Sequence, residues 1–259
     1  RAPDRPINVC FVIDRLSRAG TESPLLALID RVSREAVRPH LVLLNGSDAV
    51  SRSLEPRECP VLRLGLKKIL RPRSVTEASN LVAFWRRNRI DVVQTYFLDS
   101  TYFAVPLAKL AGIRKVVRVR NNSGYWMTFW HRRMGRWMGR LADVTLTNSE
   151  TGRRSLLQSE RLPWERVAIL ENGVDLDRFP VTAPPDTSGD PVRVGCVANL
   201  RPVKNITGLI RAARQLPDRH PRLRFEVAGD GEQRWQLERM IFENRMVNRF
   251  RLLGSVADV

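Results

Sequence analysis

Lysine is nearly absent from this chain of 259 residues: Lys67, Lys68, Lys109, Lys115 and Lys204 are all it has. Yet 44 Lys and Arg stand against 27 Asp and Glu, so the formal charge of +17 rests almost wholly on arginine. A field of that size draws nucleic acid, anionic lipid and phosphate-bearing small molecules alike and does not select among them. Histidine is equally sparse. His40, His131 and His220 stand far from one another and from Cys10, Cys59 and Cys196, so no metal-ligand spacing exists and no protein-held metal is expected. The cysteines are odd in number and two lie in apolar runs, which reads as buried free thiols in a reducing compartment. No apolar stretch approaches the ~20 residues of a membrane span. Neither strand-to-helix turn carries G-x-G-x-x-G, which argues against a nicotinamide-dependent enzyme.

What is present is an ordinary globular composition, 43% hydrophobic and 27% charged, in a chain long enough for two α/β units. Ile7–Asp14 reads as a strand buried on both faces. A loop with Gly20 follows, then a helix with Ser23 as N-cap and Pro24 at its first position. Strands at 40–44, 61–64, 90–96, 115–120, 143–148 and 167–170 alternate with helices at 74–89, 102–111 and after Ser149. That alternation is the signature of a parallel sheet wrapped by crossover helices, with ligands beyond the carboxyl ends of the strands. Asn172-Gly173 predicts a tight turn with positive φ. Pro180–Pro191 has four prolines and no apolar period, which marks a linker. The expected organisation is therefore 1–179, a first Rossmann-like domain; 180–191, the linker; and 192–259, the start of a second Rossmann-like domain. About half of that second sheet is present, so further sequence beyond Val259 is expected.

The second unit opens with Val194–Asn205 (VGCVANLRPVKN), predicted as strand, turn and helix with Lys204 in the first helical turn. Unpaired N–H groups and the helix dipole favour an anion there, and Arg201 with Lys204 adds a charge concentration suited to a diphosphate. From these residues alone, an ordinary βα turn with solvated cations is the favoured reading. Between Gly124 and Leu141, Trp126, Phe129, Trp130, Met134, Trp137, Met138 and Leu141 recur at helical spacing beside Arg132, Arg133, Arg136 and Arg140. Core packing of that stripe is the favoured expectation. A membrane-interface helix on anionic headgroups is the alternative.

Seven segments in this order resemble the retaining nucleotide-sugar glycosyltransferases of GT-B fold, the glycogen-synthase-like group called family four. They are Ala19–Glu22 (AGTE), Ile90–Tyr96, Ala142–Glu150 (ADVTLTNSE), Ile169–Phe179 (ILENGVDLDRF), Val197–Asn205, Gly229–Glu232 (GDGE) and Leu252–Val259. The resemblance spans nearly the whole chain. It implies an α/β fold of two Rossmann-like parallel-sheet domains, the second incomplete here, and transfer of a sugar from a nucleoside-diphosphate sugar to a saccharide or lipid-linked acceptor in cell-surface polysaccharide or glycolipid synthesis. It implies no cofactor beyond the donor, no metal, no nucleic-acid partner, and a cytoplasmic protein, peripheral on the inner membrane face if an anionic surface is a partner.

Carried over by position, Lys204 and Arg201 with Asn199 bind the donor diphosphate, and Gly20 sits in the loop whose backbone approaches donor phosphate and acceptor. Asn122 stands where many members keep a histidine or aspartate near the sugar. Asn172 and Gly173 hold the strand end leading to the hinge. Three departures stand out. Ala198-Asn199 replaces the family's glycine-arginine pair, which leaves Arg201 as candidate in its place; Ala19 replaces the first loop glycine; and the family's glutamate pair would lie beyond Val259, so this chain alone is expected to transfer no sugar. Glu226, Glu232, Glu238 and Glu243 do not reproduce its spacing. The rival reading from another class is a basic, non-catalytic α/β module holding nucleic acid or acidic polysaccharide.

Overall fold

The computed structural model describes residues 5–17, 20–45, 48–66, 69, 72–121, 124, 127–178, 183, 191–216 and 220–256. The chain divides into two compact units, Arg1–Asp175 and Leu176–Val259. Most of the expected linker, Pro180–Pro191, lies outside the described residues.

The first unit contains β1 (Ile7–Ile13), α1 (Glu22–Arg31), β2 (Val37–Leu43), α2 (Ala49–Ser53), β3 (Val61–Arg63), α3 (Arg73–Arg87), β4 (Val92–Tyr96), α4 (Leu98–Leu110), β5 (Lys115–Val119), α5 (Phe129–Leu141), β6 (Val144–Thr147), α6 (Glu150–Ser159) and β7 (Val167–Ile169). Its seven strands are parallel in the order β3-β2-β1-β4-β5-β6-β7. The order reverses between β1 and β4, and there the crevice for a ligand opens at the carboxyl ends.

Alternation within β1 shows how both faces become dry. Cys10 and Val12 join Val42, Leu81 and Trp85 on one side, while Phe11 and Ile13 join Leu25, Ile29, Leu41 and Leu43 on the other. A strand whose second half is buried on both faces lies between two helical layers, and β1 is accordingly an inner strand of the sheet.

Several helix starts differ from the sequence expectation. α1 begins at Glu22 after Thr21, so Pro24 is its third residue and Ser23 is not the cap. Proline is still free of cost there, because the N–H it lacks is one that the first turn leaves unbonded. α4 begins four residues before Tyr102, at Leu98, because its cap comes from across the sheet: an Asp14 carboxylate oxygen accepts the Ser100 N–H at 2.7 Å. The short α2 was not expected, and Asp48 caps it by accepting the Ser51 N–H at 2.8 Å. Asn172 and Gly173 do not form the expected turn. Neither has positive φ, and they lie in a segment without regular structure that the Arg31–Asp175 ion pair ties to the end of α1.

The second unit builds β8 (Arg193–Val197), α7 (Ile206–Gln215), β9 (Arg224–Ala228), α8 (Arg234–Glu243) and β10 (Phe250–Gly254) into a parallel sheet of order β10-β9-β8. One face carries Phe225, Val227 and Phe250 under Ile206, Ile210, Leu237 and Ile241, with the two phenyl rings stacked at 5.7 Å. Arg193, Glu226 and Arg251 alternate onto the other face with the exposed Val197 and Leu253.

Candidate functional site

In the first unit a cavity of about 350 Å³ opens at the ends of β1, β4 and β5, lined among others by Asp14, Tyr96, Phe97, Asp99, Arg118 and Arg120. β1 stops at Ile13, so the next residue, Asp14, meets the turn out of β4, where Phe97 takes φ +62°. Burial pushes the Asp14 carboxyl up to about 6, an effect that the Ser100 hydrogen bonds oppose in part. It therefore changes charge close to neutrality, at the mouth of the cavity.

Behind the cavity lies a fully buried ion cluster. Glu160 has no exposed surface and accepts from Arg118 at 2.7 and 3.0 Å and from Arg120 at 2.5 Å. Burial lowers the Arg120 pKa, against which the Glu160 charge acts. Arg118 also donates to the Gly135 carbonyl at 2.7 Å, and the Arg120 guanidinium reaches the Met127 sulfur at 2.8 Å. Three ionised groups leave one net positive charge next to a space open to a ligand.

α5 packs on this cluster through glycine. A Cβ at Gly135 would stand 2.8 Å from the Glu160 carboxyl carbon, and one at Gly139 would stand 2.7 Å from Leu162. The helix is buried at Gly135, Met138 and Gly139. This corrects the expectation of core packing for its aromatic stripe: Phe129, Trp130 and Trp137 are 69%, 69% and 64% exposed. The two glycines allow closer approach than any aromatic face could, and polar contacts bind that side, including Arg136 Nε to the Glu160 carbonyl at 2.9 Å.

A second cavity of about 200 Å³ lies alongside, and Thr21 and Asn121 border both. Asn172 and Gly173 line this second space with Gln94 and Leu146. The structure thus brings the strand end at Asn172-Gly173 to the loop that carries Gly20. Gly20 itself is exposed, with nothing within 4 Å of where a Cβ would be. Glu22, two residues on, is buried: one carboxylate oxygen accepts from Ser17 Oγ at 2.5 Å and the other has no partner among the described residues. Asn122 lies outside the described residues, between Asn121 and Gly124.

In the second unit the stretch after β8 is locked to the end of β9. Leu200 donates its N–H to the Asp230 carbonyl at 3.1 Å. Gly229, at φ +143°, and Gly231 come so close that added Cβ atoms would stand 2.1 Å from the Ala198 oxygen and 2.6 Å from the Leu200 oxygen. Glycine at both positions is required by backbone packed on backbone. Asn199, Arg201 and Lys204 are exposed on this braced segment, and the two cations have no partner among the described residues.

Lys204 is not in the first turn of α7. It ends a 3-10 turn, Pro202–Lys204, and Asn205 stands between it and the helix. The reason is local: Asn205 takes the left-handed conformation at φ +51°, which its short side chain tolerates, and its oxygen accepts the Gly208 N–H at 3.2 Å. Arg201 and Lys204 remain one turn apart, since the Lys204 N–H bonds the Arg201 carbonyl at 2.9 Å.

Sequence reasoning missed Asp14, Thr21 and the Arg118–Arg120–Glu160 cluster. An arginine between two valines of the apolar strand KVVRV was the available sign for Arg118, but its partner lies 42 residues away. Among the described residues no group of His, Cys, Asp and Glu is placed to hold a metal ion, and no helix is long and apolar enough to cross a membrane.

Comparison with known proteins agrees with this architecture. Residues 19–178 match the family model Glycosyltransferase Family 4, and residues 182–259 match Glycosyl transferases group 1. The chain is 26% identical over 270 residues to the putative glycosyltransferase EpsF of Bacillus subtilis (strain 168), covering 95% of this chain and 68% of that protein. Over 108 residues it is 30% identical to the phosphatidylinositol N-acetylglucosaminyltransferase gpi3 subunit of Schizosaccharomyces pombe, covering 42% of this chain and 24% of that one. The crystal structure of Anabaena HepE in complex with UDP superposes with a TM-score of 0.78 at 19% identity, over 98% of this chain and 70% of that one, a likeness of fold.

Proposed function

We propose, from the premise that this chain belongs to Glycosyltransferase Family 4 and has the GT-B fold, that it serves transfer of a sugar from a nucleoside-diphosphate sugar to a saccharide or lipid-linked acceptor. The polysaccharide or glycolipid so made would belong to the cell surface, and the anomeric configuration would be retained. The observation that carries the donor side is the exposed pair Arg201 and Lys204, without a partner among the described residues, on a segment braced by Gly229 and Gly231. A departing diphosphate gains charge as the anomeric bond lengthens, and fixed cations that need not reorganise stabilise that change most. A guanidinium grips two oxygens while an ammonium acts as a point charge, so Arg201 suits the place of the family's missing arginine at position 199. Arg201 and Lys204 supply this charge from the protein itself.

On the acceptor side, the cavity of about 350 Å³ is of a size for a sugar ring. Asp14, Asp99 and Asn121 offer it acceptors and donors for hydroxyls, and Tyr96 and Phe97 offer apolar surface. Gly20, at the edge of this region, leaves the backbone open to close approach.

The test is calorimetric titration of nucleoside diphosphates into the wild type, Lys204→Ala and Arg201→Ala. Loss of a charge-assisted contact, about 1.5 to 3 kcal/mol, means roughly tenfold to a hundredfold weaker binding for either variant. Affinity unchanged in both would remove the donor assignment.

A further inference from the structure

The second sheet gathers cations at the end away from Arg201 and Lys204. A cavity of about 220 Å³ opens at the amino ends of β8, β9 and β10, bordered by Arg193, Arg224, Arg249 and Arg251 with a single acid, Glu226. Parallel register sets Arg193 beside Arg224 and Glu226 beside Arg251, on the face opposite Phe225 and Val227. Among the described residues, none of these five side chains takes part in an ion pair. Adjacent strands lie about 4.8 Å apart, so Arg193 and Arg224 meet as like charges, an arrangement that costs stability until an anion stands between them. Two of the guanidiniums are fixed in advance. Arg224 donates to the Pro221 and Leu223 carbonyls at 2.6 and 3.0 Å, and Arg249 to those of Leu216 and His220 at 3.1 and 3.2 Å. The Arg249 Nε is buried without a partner among the described residues. Backbone bonds hold the strand starts together: Arg224 N–H to the Val192 carbonyl at 2.9 Å and Phe225 N–H to the Arg249 carbonyl at 2.7 Å. Arg193 and Arg251 are exposed and make no hydrogen bond among the described residues.

We propose that this cavity binds a phosphate-bearing small anion, at a site separate from the donor turn. The proposal goes beyond sugar transfer and stands without it. β8 rises about 3.3 Å per residue, so its five residues part the two ends by roughly 15 Å. Arg201 and Lys204 follow its carboxyl end, whereas this cavity lies at its amino end. Charge and shape select the occupant. Guanidinium matches phosphate oxygens two at a time, and four arginines against one glutamate leave three positive charges, which a phosphate or diphosphate largely neutralises. A space of this size suits such a group better than a protein helix. Because Arg224 and Arg249 are already held by backbone carbonyls, little side-chain freedom remains to be lost on binding.

The experiment is calorimetric titration of inorganic phosphate and pyrophosphate into the 259-residue chain carrying Arg201→Ala and Lys204→Ala, which removes the donor cations and leaves the amino-end site. Binding at low salt is expected, tighter for pyrophosphate. Adding Arg193→Gln and Arg251→Gln should weaken it at least about tenfold, since two charge-assisted bonds are lost. Glu226→Gln should tighten it several-fold, because it removes the one charge there that repels the anion. Arg211→Gln with Arg214→Gln, exposed on α7, removes the same charge elsewhere in the unit and should leave affinity unchanged. Circular dichroism should match throughout, because Arg193, Arg211, Arg214 and Arg251 are exposed. Should the Arg193 and Arg251 pair fail to fold together, Glu226→Gln decides: affinity unchanged or weakened overturns the proposal. So does absence of binding in the chain without donor cations, or equal weakening by the α7 pair. Tighter binding of single-stranded nucleic acid than of pyrophosphate, lost with the same two arginines, also overturns it.

Discussion

Replacing Glu160 by glutamine keeps the shape of the side chain and removes its charge from a place with no exposed surface. The carboxylate accepts three charged hydrogen bonds, at 2.7, 3.0 and 2.5 Å, and lies between Arg118 and Arg120. In the variant two guanidiniums of like sign remain in the dry interior without a counter-charge. Removing one partner of a buried pair costs about 3 to 5 kcal/mol, and the mutual repulsion of the arginines puts this case in the upper part of that range. A domain of this size has only about 5 to 15 kcal/mol of net stability, so the loss is a large share of it. For a urea slope of about 2 kcal/mol/M, the midpoint should fall by roughly 2 M. Tryptophan fluorescence is a suitable probe because Trp85, Trp126, Trp130, Trp137 and Trp164 lie in the first unit and only Trp235 in the second. A triple variant with Glu160→Leu, Arg118→Met and Arg120→Met should regain much of the loss, since an apolar trio of similar volume carries no desolvation penalty. A midpoint shift below about 0.5 M for Glu160→Gln would show that the cluster is solvated, and the buried-charge reasoning would fail.

Asp14→Asn tests the raised carboxyl. Because the folded pKa, about 6, lies above the ordinary 3.8, the wild type gains stability from Asp14 below pH 3.8 and loses it as pH rises through 6. Asparagine can still accept the Ser100 N–H, so the variant should be more stable than wild type at pH 8, by on the order of 2 to 3 kcal/mol, and the difference should vanish at pH 4; equal stability at pH 8 would contradict it. Gly231→Ala should destabilise the second unit by about 1 to 3 kcal/mol, since its Cβ would press on the Leu200 backbone, whereas Gly195→Ala, with open space at its Cβ, should change it by less than about 0.5 kcal/mol. Thermal melts followed at Trp235 compare the two, and equal effects would show that the brace at Gly229–Gly231 is yielding.

Elements whose signal is local were readable from the chain. Ile7–Ile13 and Val92–Tyr96 are short apolar runs between breakers, and Ser149 does cap α6 by accepting the Gly152 N–H at 3.1 Å. Glycosyl transfer was readable because a family's motifs keep their order even where single residues drift, as at Ala198-Asn199. What failed depends on partners distant in sequence. The start of α4 was missed because Asp14, 86 residues earlier, supplies its cap. The orientation of α5 was missed because periodicity identifies an apolar stripe without saying what covers it. Gly135 and Gly139, one turn apart, were the sign that a different side lies against the sheet. Lys204 was placed one turn too deep, because Asn205 caps a helix from a left-handed conformation that its residue type permits but does not announce.

Arg118 is shared property of a surface element and an interior space. It borders the larger cavity and at the same time holds the Gly135 carbonyl of α5. A shift of this side chain toward a ligand would break or stretch its bond to the Gly135 carbonyl. One buried guanidinium therefore serves both as a wall of the cavity and as an anchor for the helix outside it.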